Sequence, residues 1–452
     1  MKRDMNKIIF LPFLWSVFVC VGFAQTRDID KTVISLREQS ELYNKNLEYR
    51  LDSILPGIMR REGVEMWLVI NFENSEDPVY RTLNTMPGDG ARRLSIVVFH
   101  DAKDGFKKLS ATYHGAYASG YMYQNIYTDR STGPKGQFKA VADYIAKADP
   151  QNIAIDFDDE ILDDFSHANG LSHLHYIELC NALGDKYTKR LVSAKKVIMG
   201  WFDTRSPWEL SFYRHVCGIT HDLIKEFYSN AVITPDVTTT SDVSWWICER
   251  LKAMGLDYWF NPSVSIIRSP ADRAKNPVAD RIIRRGDLLH CDVGIVYMGL
   301  TSDMQHCAYV LREGETDAPA GVKALFAKGK RMQDIILEEM KPGRTGNEIL
   351  QITRKRGTDE GLNPLVYSHP INYYGHGSGV IIGFTERQEG VVGTGNKKIY
   401  PNGSYSMEFS VAAIIPEWGD ELVRLGVEED MITTENGARF IDGRQENIYL
   451  IR

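Results

Sequence analysis

Two hydrophobic periods follow one another along the chain. From about residue 27 to 61 apolar side chains recur at helical spacing, with Leu36, Leu42, Leu47 and Leu51 set for one face among charged neighbours. Three apolar runs of strand length come next, at 66–71, 94–99 and 152–157, separated by polar, helix-like stretches. That alternation predicts an α/β domain ending near residue 195. A new helix start stands at 205–209: Ser206 can cap, Pro207 suits the first helical position, and Glu209 completes a capping box. This helix is expected to reach about residue 229. Another spans 242–254, with Val243, Ile247, Leu251 and Met254 on one face and Gly255 as the stop. Helical stretches at 318–340 and 346–356 are split by Lys341-Pro342-Gly343, and Thr345 with Glu348 forms a further capping box. The stretches 288–310 and 405–441 read as β-hairpins, so the second half is α+β, with helices packed on an antiparallel sheet.

The first residues obey neither period. Lys2, Arg3 and Lys7 precede a nearly unbroken apolar run over 8–24, and Ala24, with Gly22 two before it, offers a signal-peptidase site. The run is short for a membrane span of roughly 20 apolar residues, and Pro12 interrupts it. Bulky Val19 before Cys20 speaks against a lipoprotein site. The expected organisation is a signal peptide at 1–24, an α/β domain at 25–198 and an α+β domain at 199–452, exported to the periplasm or secreted, with no stable membrane insertion after cleavage.

Composition narrows the classes. Hydrophobic residues are 43% and charged residues 25% of 452, which excludes disorder, collagen-like repeats and a polytopic membrane protein. The formal charge of -7, which becomes -9 once Lys2, Arg3, Asp4 and Lys7 leave with the leader, argues against a nucleic-acid partner. After cleavage Cys180, Cys217, Cys248, Cys291 and Cys307 remain. An odd count without short paired spacings is not a disulfide framework, and without a CxxC no thiolate zinc site is indicated; free buried thiols are expected. The acidic run 156–164 has no calcium-loop spacing and reads as a solvated edge.

The candidate chemistry lies in the second half. Asp292 and Asp303 flank a tight turn at Tyr297-Met298-Gly299, and an odd separation across a two-residue turn puts both carboxylates on one side of the hairpin. Carboxylates that close repel unless a proton or a cation lies between them. His376 stands in a glycine-rich run, Tyr374-Gly375-His376-Gly377-Ser378-Gly379. Glu408 and Glu428 lie inside strand patterns joined by a turn near 416–419, and a Glu on an apolar strand face is costly unless paired or bound to metal. Together these make four carboxylates and one imidazole, a set suited to one or two divalent cations such as Mn, Co, Fe or Zn. Two such ions, bridged by carboxylates, can activate a water and polarise a carbonyl.

The order Asp, Asp, His, Glu, Glu in these contexts resembles the pita-bread metallopeptidases: Xaa-Pro aminopeptidase, prolidase, methionine aminopeptidase and the metal-free creatinase. The resemblance covers about 200–445, and the first half is compatible with the creatinase-type N-terminal domain. It implies a dinuclear centre, with manganese the first choice, held by Asp292, Asp303, His376, Glu408 and Glu428. Asp292 and Glu428 would bridge, and Glu408 would also shuttle the proton of the attacking water. It further implies an exopeptidase acting on short peptides at an Xaa-Pro bond, and it is compatible with a homodimer.

The departures from the family pattern are specific. Relatives carry a His before the Gly-Asp strand, where 272–277 has none, and a second His a few residues past the ligand, where Thr385 stands. A third His belongs four before the ligand, at Asn372, an Arg two before the last Glu, at Gly426 with Arg424 displaced, and a Pro after the first Glu, at Phe409. Those histidines hold the substrate carbonyl and protonate the leaving amine. His369 is the first substitute for the catalytic role, ahead of His306 and His290. A creatinase-like hydrolase of a small amide and a binding protein derived from an enzyme are the two alternatives.

Overall fold

The computed structural model describes residues 33–88, 90–113, 120–158 and 167–452. The expected signal peptide at 1–24, Cys20 and most of the acidic run 156–164 lie outside the described residues. A six-stranded mixed sheet organises the first half. Its strands are β1 (Met66–Asn71), β2 (Ser95–Ala102), β3 (Gly105–Thr112), β4 (Gln124–Asn125), β5 (Ile153–Ile155) and β6 (Leu191–Ser193), in the order β4-β3-β2-β1-β5-β6. Helices α1 (Leu36–Tyr49), α2 (Leu55–Glu62), α3 (Gly133–Ala148), α4 (His173–Thr188) and α5 (Lys195–Asp203) accompany it. Alternation along β1 divides the core. Trp67 and Val69 pack with Leu47, Leu51, Leu55, Trp201 and Phe202 on one face. Met66, Leu68 and Ile70 pack with Phe138, Val141, Ile145 and Leu179 on the other.

Two expectations change here. The first helix is continuous only through a π-helical turn at Arg50–Ile54, and its capping box is Ser35 with Glu38. Of the four leucines expected on one face, Leu47 and Leu51 are buried, whereas Leu36 is 74% exposed and Leu42 38%. Leu36, Leu42 and Leu47 all precede that turn; at about 100° per residue Leu42 faces away from Leu47 and Leu51, and Leu36 shares their side but opens the helix, beyond the core. Strand β3, with two lysines in GFKKLSAT, has no apolar run to mark it; its pairing with β2 creates it.

The second half pairs helices with sheets. Helices α6 (Pro207–Phe227) and α7 (Thr240–Ala253) pack against β7 (Asp257–Tyr258), β8 (Ser263–Ile267), β9 (Leu288–Asp292), β10 (Ile295–Tyr297), β11 (Leu300–Thr301) and β12 (Cys307–Val310), with the short α8 (Pro270–Lys275) between. Helices α9 (Ala320–Glu339) and α10 (Gly346–Asp359) pack against β13 (Leu365–Val366), β14 (His369–Asn372), β15 (Gly375–His376), β16 (Ser404–Ile414), β17 (Leu422–Thr434) and β18 (Gly437–Phe440). A final strand, β19 (Tyr449–Ile451), runs parallel to β12; the other pairings here are antiparallel. The capping boxes expected at Ser206 and Thr345 are formed, and Thr239 with Asp242 adds a third.

The two halves meet beside β15. The Tyr374 hydroxyl donates to the Pro78 carbonyl (2.5 Å), and Pro78 adjoins a buried acid pair. The Asp77 Oδ1 accepts from the Val79 N–H (2.9 Å), and Asp156 Oδ1 accepts from Trp67 Nε1 (2.7 Å). The other carboxyl oxygen of each is buried without a donor. Burial raises Asp77 from its ordinary 3.8 to about 7, and burial with the Asp77 charge raises Asp156. Two such acids share one proton. Because the folded state then binds that proton more tightly than the unfolded chain, stability falls as pH rises from about 4 through 7. Asp77→Asn keeps the oxygen that Val79 uses and offers Asp156 an N–H. Calorimetry is expected to show a higher unfolding temperature for this variant at pH 8 and little change at pH 4; a loss at both values would contradict the shared proton.

Candidate active site

Each acidic strand delivers its side chain through register. In the long β16–β17 ladder Glu408 lies directly opposite Glu428, a pairing of like charges that a sheet normally avoids. β9 ends at Asp292, and the chain turns back through Met298 and Gly299, both at positive φ (53° and 76°), the signature of a type I′ hairpin. It returns past a Val293–Met304 bridge to Asp303, whose N–H donates to Asp430 Oδ2 (3.1 Å). β14 begins at His369, paired with Ser406 two residues before Glu408.

The result is a buried cluster that lacks the hydrogens to satisfy itself. His369 Nε2 lies 3.6 Å from Asp303, 3.9 Å from Glu408 and 3.9 Å from Glu428, too far for hydrogen bonds. Its Nδ1–H donates to the Pro370 carbonyl (3.0 Å), which leaves Nε2 with a lone pair. Burial, then the neighbouring His376, lowers His369 to about 3, so the ring is neutral. Asp292 Oδ1, Asp303 Oδ1 and His369 Nε2 are all buried without a partner. Burial raises Asp292 to about 6 and Glu408 to about 7; burial and mutual repulsion push Asp303 and Glu428 higher. Lone pairs facing lone pairs in a dry site call for a cation. These residues fit a divalent metal: carboxylate oxygens plus one imidazole nitrogen oriented by a backbone carbonyl.

A second cluster occupies the other side of β17. Glu429 accepts from His306 Nε2 (2.8 Å), His221 Nε2 (3.0 Å) and the Gln445 N–H (2.7 Å), and His221 Nδ1 donates to Asp442 (3.2 Å). Burial opposes the His221 imidazolium, but Glu429 and Asp442 outweigh it and raise its pKa to about 10. Here the carboxylates are met by imidazole hydrogens and, at Asp442, by Arg214 (3.0 Å), and His306 bonds Glu429 rather than facing the first cluster.

The sequence profile of metallopeptidase family M24 matches residues 211–442, just over half of the chain. The chain belongs to metallopeptidase family M24. Its fold is similar to an X-Pro aminopeptidase from Thermotoga maritima MSB8, at TM-score 0.62 and 16% identity over 87% of this chain and 99% of that one. It is also similar to an Xaa-Pro dipeptidase from Bacillus anthracis, at TM-score 0.56 and 15% identity over 92% and 100%. A prolidase from Pyrococcus horikoshii OT3 gives TM-score 0.56 and 15% identity over 87% and 98%. An uncharacterized peptidase of Bacillus subtilis (strain 168), YqhT, is 24% identical over 173 residues, 38% of this chain and less than half (44%) of that protein.

For an M24 chain the histidines fall in an unexpected place. Among the described residues, the ligand-type atoms gathered within 4.8 Å here belong to Asp303, His369 and Glu428. The imidazole among the carboxylates is therefore His369, expected to act on substrate, and not His376, expected to bind metal. His376 Nε2 instead approaches the Tyr367 hydroxyl (3.3 Å), and its ring meets Trp259 edge-on (5.1 Å) and stands 4.6 Å from the His369 ring. The physical reason is register: His369 opens β14 beside β16, whereas β15 folds back from β14. The Gly375 φ of 79°, with Trp259 filling the room a Cβ would need, sets that return. His376 stands seven residues after His369, and four residues before His369 is Leu365, so the expected third histidine is absent on either count. Tyr367 and Trp259 carried no sequence signal; only proximity finds them. His290 donates to Gln305 and does not reach the carboxylates.

Removing one buried charge separates site chemistry from stability. Asp303→Asn is expected to raise the unfolding temperature of chelator-treated protein by relieving repulsion. It should also abolish the upward shift that divalent metal gives the unaltered chain. Scanning calorimetry with and without metal measures both.

Proposed function

We propose that this chain is an exported, metal-dependent exopeptidase that cleaves the first peptide bond of short peptides, with an Xaa-Pro bond preferred. The buried, partnerless atoms Asp292 Oδ1, Asp303 Oδ1 and His369 Nε2, with Glu408 and Glu428 beside the imidazole, carry the reading. Those five residues hold two divalent ions, manganese first, with cobalt, zinc or iron as alternatives. Family membership and the names of the structural neighbours, X-Pro aminopeptidase, Xaa-Pro dipeptidase and prolidase, support the peptide substrate. The ions supply Lewis-acid polarisation of the scissile carbonyl and lower the pKa of water. Glu408 Oε2 takes the proton of the attacking water. His376, with Tyr367 beside its Nε2, steadies the carbonyl oxygen and returns a proton to the leaving amine. Trp259, against the His376 ring, excludes water from that side.

Export rests on the leader at 1–24, and the thiols agree with a fold held by its core, since Cys217, Cys291 and Cys307 are buried and unpaired. A homodimer is part of the proposal. The creatinase-like alternative, hydrolysis of a small amide without metal, is disfavoured by the gathering of two buried carboxylates, Asp303 and Glu428, with the half-buried Asp292 and Glu408.

A panel of Xaa-Pro and Xaa-Ala peptides, assayed with manganese and with a chelator, tests the reading. Release of the first residue only with metal supports it, and silence across the panel in metal-loaded protein overturns it. The two histidines should separate. His369→Ala is expected to lose metal binding and turnover together. His376→Ala should keep metal and lower kcat by about 10²–10⁴-fold; titration calorimetry alongside kinetics distinguishes them.

A further inference from the structure

The strand residue two before Glu428 is Gly426, and the structure shows what occupies the room a side chain there would need. A Cβ built on Gly426 would lie 2.7 Å from Gln305 Oε1 and 2.7 Å from His290 Nε2. These two side chains are joined: the His290 Nε2–H donates to Gln305 Oε1 (2.9 Å). That bond fixes the amide, so its N–H points the other way, into Glu408 Oε1 (3.0 Å). Gln305 is itself pinned by main chain to the next acidic strand. Its N–H donates to the Glu428 carbonyl (3.1 Å) and its carbonyl accepts from the Glu428 N–H (3.2 Å). Gln305 is buried, at 7% exposure.

We propose that His290 and Gln305 form a positioning pair that fills the space beside Gly426 and holds Glu408 for metal and proton transfer. The proposal rests on the reading of Glu408 as a site carboxylate. Glu408 has one oxygen near the His369 lone pair and the other on the Gln305 amide. The amide therefore decides which oxygen faces the cluster. His290 touches neither substrate nor Glu408; it acts by forbidding the amide flip that would set an oxygen against the carboxylate. The smaller residue at 426 is part of the same device, since any Cβ there displaces both members.

Two readouts independent of turnover test this. The first is manganese affinity of the full chain by titration calorimetry. Gln305→Met, of similar volume but without a donor, is expected to weaken binding by about 10–100-fold. His290→Phe is expected to weaken it in the same direction by less. In both variants kcat should fall while KM for a small peptide stays within about twofold. Gln305→Asn, which keeps the amide on a shorter stem, should recover part of the affinity. The second is a double-mutant cycle on the unfolding temperature of metal-stripped protein. Gly426→Ala should destabilise the unaltered chain and destabilise a Gln305→Ala background less, since there only His290, released from its Gln305 partner, has to give way. Glu408→Gln is the control. If it loses metal while the Gln305 and His290 variants bind and turn over normally, or if positions 426 and 305 show no coupling, the positioning pair is overturned. If Glu408→Gln itself binds metal normally, the underlying reading of the site fails instead.

Discussion

Mutual repulsion among buried carboxylates is the constraint around which the second half is built. Asp292, Asp303, Glu408 and Glu428 converge on a neutral imidazole, and nothing within the cluster supplies the missing positive charge. Such a group is tolerated only because the backbone leaves it no choice. The β16–β17 ladder is continuous across the whole of β16, and its pairings on both sides of Glu408 and Glu428 hold two like charges opposite one another. Stability sacrificed at a site is commonly recovered in the scaffold around it.

The recovery is visible on the reverse of the same strand. Glu428 and Glu429 are neighbours, so the pleat sends them to opposite faces. One joins the unpaired cluster; the other accepts from two imidazoles and a backbone N–H. Asp430, pointing again to the side of Glu428, accepts the Asp303 N–H and the Cys217 thiol, tying the hairpin loop to helix α6. Three consecutive acids in one strand thus do three jobs: a member of the carboxylate cluster, an anchor between α6 and the start of β12, and a brace for the turn that carries Asp303.

Much of this was legible in the sequence. Capping boxes mark helix starts because a Ser or Thr followed by an acid three residues on satisfies local donors, and Ser206 and Thr345 do so here. The four acids were legible because a carboxylate inside an apolar strand is costly to bury without a proton, a base or a cation to meet it. The histidines were not. His369 and His376 both sit in short polar runs, and only the pairing of His369 with Ser406 and the reversal at Gly375 decide which ring enters the cluster. That is a tertiary fact with no local signal. Strand β3 was hidden for the same reason, and the leucine stripe failed because Leu42 faces away from Leu47 and Leu51 while Leu36 sits at the exposed helix start.

The donors Asp292 and Glu428 are separated by more than a hundred residues, with α9 and α10 folded between them. Closing so long a loop is entropically unfavourable, and contacts of that range form late. Each hairpin by itself pairs two of the carboxylates, Asp292 with Asp303 and Glu408 with Glu428. The repulsion among all four arises only where the β9 and β16–β17 strands come together. The full cluster is in this sense a closing event of folding: separate hairpins present acids in pairs, and only the finished sheets gather four of them around one imidazole.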